Sequence, residues 1–280
     1  PVLLNEADSL FRIEDYVQGQ ETFFRPANTA LWKRLLVGWL PACSLNVKVA
    51  QNFQRFEREL LAFTPEPAVL VIGGSVQGEG IGVLYDNPKI ECVNTDISLS
   101  PAVDAIVDAH DIPFADDALD GVVATAVLEH VLDPYRCVAE IHRVLKPGGV
   151  VYSETPFMQQ VHGGRYDFVR FSDLGHRWLF RAFEEIERGV AVGPGTALLW
   201  SVNAFFRTLF RRHLFKQLAT AGIQATLFWL RYFDYFLVDR PAAADSASGY
   251  YFLGRKSDVP LSGRALLEEY RGACDELRAY

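Results

Sequence analysis

The spacing of apolar positions changes character twice along the chain. Asn28 to Leu40 and Val49 to Phe63 place apolar residues three and four apart, which predicts helices with short links over the first 64 or so residues. Pro65-Glu-Pro67 breaks that pattern. Ala68 to Ile72 is then an unbroken apolar run closed by glycines, the pattern of a strand buried on both faces. Strand, loop and helix signals alternate after it. Strands are predicted at Ile90–Asn94 (closing at Asp96), Ala105–Asp108, Gly121–Thr125 and Val150–Ser153, and a helix at Tyr135–Leu145 is stopped by Lys146-Pro-Gly-Gly149. Such alternation predicts a parallel α/β sheet covered by helices, with ligands at the carboxyl ends of its strands.

Beyond Pro156 the pattern loosens. Ser172–Phe183 reads as helix, Glu184–Val192 and Tyr250–Gly254 as strands. The 195–249 connection between those strands is too long for a plain loop and is read as a helical insert or lid. Its Leu198, Leu199, Trp200, Phe205, Phe206, Phe210, Leu227, Phe228, Trp229, Tyr232, Phe233 and Phe236 fall at helical spacing and are read as packing residues. With the N-terminal helices they could roof a site, or an exposed part could meet lipid or a partner chain. The chain divides into an N-terminal helical cap (1–64), a ligand-binding core (65–194), the insert (195–249) and a last strand with a C-terminal helix (250–280).

Composition narrows the function classes. With 280 residues, half of them apolar, the chain can build one large core plus a cap. Its formal net charge is −8, and Arg207 to His213 is its closest approach to a basic stripe, so nucleic acid is not an expected partner. Cys43, Cys92, Cys137 and Cys274 never stand at Cys-x-x-Cys spacing, so neither a metal site nor a redox pair is expected from them. Arg231 and Asp234 interrupt the most apolar stretch, Ala221 to Val238, which argues against a membrane span. The first residues lack the charge pattern of a secretory signal, and the expected location is the cytoplasm.

Candidate chemistry starts at Val71-Ile-Gly-Gly-Ser-Val-Gln-Gly-Glu-Gly80, directly after the first predicted core strand. Glycine lets a backbone turn sharply and come close to a ligand. Glycine clusters also make ordinary tight turns. Asp96, closing the next strand, can accept hydrogen bonds from both hydroxyls of a ribose, or cap a turn before Ser98 and Pro101. Asp108, with the backbone N–H of Ala109, can read an amino-purine edge; alone it is an ordinary loop acid, as is Asp111. Nicotinamide-dependent dehydrogenases share the glycines and the first acid.

The segment Asp108-Ala-His-Asp-Ile-Pro-Phe-Ala-Asp-Asp-Ala-Leu-Asp-Gly-Val-Val123, followed by Val127-Leu-Glu-His-Val131 and Glu140-Ile-His-Arg-Val-Leu-Lys-Pro-Gly-Gly149, closely resembles class I S-adenosylmethionine-dependent methyltransferases of the type 11 group. The resemblance runs from about Ala68 to Pro156. It implies a Rossmann-like seven-stranded sheet, whose last two strands come from 184–192 and 250–256. It also implies S-adenosylmethionine as cofactor. Gly73, Gly74 and Gly78 would line its methionine and ribose, Asp96 would hold the ribose hydroxyls, Asp108 and Ala109 would contact adenine, and the Thr125 backbone would lie near the sulfonium. Where the family usually carries an acid two places before the first glycine, this chain has Val71, and Glu79 is the candidate replacement.

The loop after the fifth core strand, His162-Gly-Gly-Arg-Tyr-Asp-Phe-Val-Arg170, would stand on the acceptor side. His162 is the expected general base, Asp167 its orienting partner, and His176 a reserve. His130, at the end of the Leu-Glu-His element, is either a further catalytic group or the residue that fixes a helix start. Asp167 and Arg170 could equally be a pair that pins the loop. The expected reaction is O-methylation of a small hydroxylated acceptor such as a glycan unit or secondary metabolite, by a chain that could form homo-oligomers. The alternatives are transfer to nitrogen or carbon, a non-catalytic binding or assembly protein that keeps the fold, and a nicotinamide-dependent oxidoreductase.

Overall fold

The computed structural model describes residues 1–17 and 42–273. The helix expected over 28–40 lies outside the described residues.

The strand Ala68–Ile72 (β2) sits mid-sheet, and its side chains alternate between two apolar layers. Leu70 and Ile72 pack on one face with Val122, Ala124 and Val151, under Cys137, Val138, Ile141 and Val144 of the helix Pro134–Val144 (α4). Val69 and Val71 pack on the other with Val123, Val150 and Tyr152, under Phe53, Phe56 and Leu60 of the helix Val49–Phe63 (α2). Gly121 lets α2 come close, because a Cβ there would lie 2.6 Å from Leu60 Cδ2. Asp133 caps α4 by accepting from the Arg136 N–H at 3.0 Å, and Pro134 fits the first helical turn.

The remaining strands are Val2–Leu3 (β1), Glu91–Asp96 (β3), Ala105–Val107 (β4), Leu119–Thr125 (β5), Leu145–Pro156 (β6), Phe183–Val192 (β7) and Gly249–Lys256 (β8). They form one sheet in the order β1-β4-β3-β2-β5-β6-β8-β7, in which β8 runs antiparallel to both neighbours. The seven expected strands are therefore joined by an eighth. Val2 and Leu3 pair in parallel with Ile106 and Val107, so the first residues are not purely helical as expected. Two residues carry no periodicity, and only the free edge of β4 makes them a strand. A short helix, Ile13–Val17 (α1), follows.

The chain leaves β2 in one direction along the sheet to β3 and β4, then returns to β5 on the other side. The crevice at the carboxyl ends of β2 and β5 is thus the switch point where ligands of such sheets bind.

Between β7 and β8 lie the helices Pro194–Thr208 (α6) and His213–Leu227 (α7), a 3-10 turn at Phe228–Phe233, and the short helices Asp234–Leu237 (α8) and Pro241–Ala244 (α9). Buried Asp234 accepts from the N–H groups of Gly195 (2.7 Å) and Thr196 (3.0 Å), satisfying the first turn of α6. The packing expected of the insert's apolar residues holds for Leu199, which is buried, but Leu198, Phe205, Phe206, Phe210, Trp229, Tyr232, Phe233 and Phe236 are exposed. Two paired helices have only one shared face, so aromatic residues around the rest of the circumference face outward among the described residues. No helix among the described residues is long and apolar enough to cross a membrane.

Candidate active site

A cavity of about 430 Å³ occupies the switch-point crevice. Gly73, Gly78, Asp96, Asp108, Ala109, Thr125 and His130 line it. Gly74 does not: it is buried, its N–H donates to the Thr95 carbonyl, and a Cβ on it would meet Asn94 at 3.0 Å. Gly73 is the glycine the turn requires. Its φ is +81°, and a Cβ there would stand 2.4 Å from Val127 Cγ2.

The two acids at the strand ends are already tied into the backbone. Asp96 accepts from the Ser75 N–H (3.0 Å) and the Ser98 N–H (2.7 Å), one on each oxygen. Asp108 accepts from the Ser9 hydroxyl at 2.6 Å and from the His110 N–H at 3.0 Å, and its Oδ1 lies 2.6 Å from His110 Nδ1. Burial pushes the Asp108 carboxyl up, but the hydrogen bonds from His110 and Ser9 outweigh it and hold it below its ordinary value. Asp96 keeps a second lone pair on each oxygen and Asp108 keeps one on Oδ2, so both acids can still accept from a ligand. His110 was quoted in the sequence without a role. The Asp133 N–H donates to its Nε2 at 3.1 Å, so the ring ties Asp108 to the start of α4.

The N-terminal segment, not the insert, covers the crevice. Leu10 and Phe11 line the cavity, and Phe11 stacks on Tyr166 with ring centroids 5.9 Å apart. None of residues 195–247 lines it, so the lid expected from the insert does not reach this crevice among the described residues.

Val71 lies in the core at 3 % exposure, and besides Asp96 and Asp108 the carboxylates lining the cavity are Glu79 and Glu154. Glu154 had no place in the sequence expectations. It accepts from the Asn46 side-chain amide at 2.9 and 3.1 Å and from the Tyr152 hydroxyl, and burial raises its carboxyl above the ordinary value.

A second cavity, about 180 Å³, adjoins the first through Ala126 and Glu154, which line both. Glu129 and His162 line this smaller space. The His130 and His162 rings meet edge to face at 4.9 Å. His130 Nδ1 is 2.7 Å from the Tyr166 carbonyl, so it carries the proton there. Burial lowers the His130 pKa, with His162 adding to that effect and the Tyr166 carbonyl opposing it.

Asp167 pins the loop more than it orients the ring. Its Oδ2 accepts from the N–H groups of His162 (2.8 Å) and Gly163 (3.1 Å) and from Arg170 (3.0 Å), whereas His162 Nδ1 stands 3.5 Å away. Burial raises its carboxyl, but the Arg170 and backbone hydrogen bonds prevail and hold it well below the carboxylate range. His176, the reserve candidate, is in the core between Phe180 and Phe252, away from both cavities. Glu129 was also missed: it is 1 % exposed, and neither of its oxygens has a hydrogen-bond partner.

The methyltransferase-domain family matches residues 74–153. Over 76 residues the chain is 37% identical to a demethylmenaquinone methyltransferase of Symbiobacterium thermophilum, a match covering 26% of this chain and 30% of that protein. It is 36% identical over 76 residues to an uncharacterized 37.1 kDa protein in a transposon of Streptomyces fradiae, covering 27% of this chain and 22% of the other. The chain thus matches less than a third of the length of either relative. Among solved structures, a protein assigned as a sarcosine dimethylglycine methyltransferase from Galdieria sulphuraria has the same fold, with a TM-score of 0.50 and 15% identity over 81% of this chain and 98% of that one. Residues 74–153 therefore match a methyltransferase domain, set in a chain that shares the fold of a solved methyltransferase-like structure.

Proposed function

We propose that this protein transfers the methyl group of S-adenosylmethionine to a hydroxyl of a small acceptor. The observation that carries this reading is the meeting of the two cavities at Ala126 and Glu154. The larger, with Asp96 and Asp108 at its strand ends, suits the nucleoside. The smaller suits the reacting end of an acceptor.

In this reading Gly73 and Gly78 give the cofactor backbone room, Asp96 accepts from the ribose hydroxyls, and Asp108 with the Ala109 N–H reads adenine. Thr125 lies at the sulfonium end. Glu79 and Glu154 stand in for the acid that Val71 does not supply. Transfer is an in-line displacement, and its rate depends on holding oxygen, carbon and sulfur near an attack distance of roughly 3–3.5 Å. His162 is placed to accept the hydroxyl proton, with Asp167 and Arg170 holding its loop and His130 packed against it. The acceptor C–O bond forms as the C–S bond breaks, leaving S-adenosylhomocysteine.

Calorimetry with S-adenosylhomocysteine tests the cofactor half: saturable binding is expected, weakened in Asp96→Ala. Methyl transfer to a panel of hydroxylated and aminated small molecules tests the acceptor half. Transfer to amines alone would replace the hydroxyl reading, and binding without transfer to any acceptor would favour a protein that keeps the fold for binding.

A further inference from the structure

Glu129, His130 and His162 form a group whose ligand atoms all lie within 4.8 Å of one another. Glu129 Oε1 is 3.7 Å from His130 Nε2 and 3.8 Å from His162 Nε2. A buried carboxylate with no hydrogen-bond partner on either oxygen is costly, and a fold keeps one only where something else meets it. Here both oxygens are unpartnered and one faces two imidazole nitrogens.

We propose that Glu129, His130 and His162 bind a divalent transition-metal ion between the two cavities. Two imidazoles and a carboxylate are the donor set of many catalytic zinc sites, which keep further positions open for water or substrate. Two atoms each about 2.1 Å from a tetrahedral ion lie roughly 3.4 Å apart, so the two Glu129–histidine separations need to close only slightly and the two imidazoles must draw together from within 4.8 Å. His162 is on a loop and can supply that movement.

The surroundings are those of a ligand set. A metal-binding histidine usually donates its other ring N–H to a carbonyl or carboxylate. His130 Nδ1 meets the Tyr166 carbonyl at 2.7 Å, and His162 Nδ1 stands near the Gln160 carbonyl (3.4 Å) and Asp167 Oδ2 (3.5 Å). Both Nε2 atoms are thereby directed toward Glu129. The chain itself ties the two loops together, since the Phe168 N–H donates to the Glu129 carbonyl at 2.8 Å.

The sequence concealed this site because Glu129 and His130 are adjacent while His162 follows 32 positions later (162 − 130), a spacing that matches no compact metal motif. The ion site stands independently of the methyl-transfer reading; only the suggestion that the ion meets an acceptor hydroxyl rests on it. Ion binding and His162 acting alone as a base are alternative uses of one lone pair.

The test uses the full chain freed of metal by chelator and dialysis, titrated with Co²⁺ and followed by its visible absorption, with Zn²⁺ competition. One ion per chain is expected, with affinity at least about tenfold lower in both Glu129→Gln and His162→Ala. His162→Ala changes a half-exposed loop residue, so it reports even if the buried variant folds poorly. Absence of saturable Co²⁺ uptake, or uptake equal in wild type and His162→Ala, overturns the proposal. S-adenosylhomocysteine calorimetry on the same samples separates the two readings: cofactor binding without Co²⁺ binding removes the ion alone, and the reverse removes the cofactor alone.

Discussion

Gly163 lies against His130 so closely that a Cβ on it would stand 2.5 Å from His130 Cε1 and 2.6 Å from Nδ1. The loop after β6 therefore fixes the ring that follows β5, and glycine is the residue that permits the contact. Gly163→Ala is expected to displace His130 or the loop. A displacement near 1 Å can cost about a hundredfold in rate. The expected result is a large fall in kcat with a smaller loss of S-adenosylhomocysteine affinity, because only the displaced His130, and not Gly163 itself, lines the larger cavity. An unchanged kcat would show that His130 needs no such support.

At the other end of the crevice, Gly73→Ala places a side chain at positive φ and into Val127 Cγ2. Backbone strain of this kind costs roughly 1–3 kcal/mol, before any clash. Both thermal stability and S-adenosylhomocysteine affinity should fall. Gly74→Ala meets the Asn94 side chain instead, at a buried position off the cavity, so it should lower stability with little change in affinity. Comparing the two by thermal unfolding and calorimetry separates a ligand-facing glycine from a packing one.

Asp96→Asn keeps the shape of the side chain and removes its charge. Hydrogen bonds to charged groups contribute about 1.5–3 kcal/mol, so affinity for S-adenosylhomocysteine should fall roughly 10- to 100-fold. Calorimetry measures it directly. A lower melting temperature with no change in affinity would assign Asp96 to holding Ser75 and Ser98 alone.

These sites differ in how plainly the sequence announces them. The core strands were legible because a strand buried on both faces is an unbroken apolar run, as in Ala68–Ile72. Val2–Leu3 was not, because its partner is remote in sequence. Asp96 was found as an acid closing a buried strand. Glu154 directly follows the predicted run Val150–Ser153, so a similar signal was present there, although β6 itself continues to Pro156. Glu129 gave no local signal: its importance comes from burial and from His162, which only the fold brings near.

His176 makes a pH prediction outside both cavities. Burial, with Arg188 adding to it, pushes its pKa from 6.5 down to about 3. A histidine depressed in the folded state contributes stability above its unfolded pKa, and that contribution is lost as pH falls through the folded value. Stability should therefore decline between about pH 6.5 and 3, by up to about 1.4 kcal/mol per pH unit from this group. His176→Leu should flatten that part of the profile in denaturant unfolding. A profile as steep as wild type would place the acid sensitivity elsewhere.

The N-terminal segment supplies the last test. Ser9 donates to Asp108 at 2.6 Å, while Phe11 lines the cavity and stacks on Tyr166, so this segment bears on both Asp108 and the cover above the crevice. The two contacts act differently. Ser9→Ala removes one donor from Asp108, which keeps the His110 hydrogen bonds and frees a lone pair for the ligand. Its effect on affinity should be small. Phe11→Ala opens the cover, so S-adenosylhomocysteine should dissociate faster while its association rate changes little. Stopped-flow binding resolves the two rates. Equal dissociation from wild type and Phe11→Ala would mean that the segment covers the crevice without retaining what binds there.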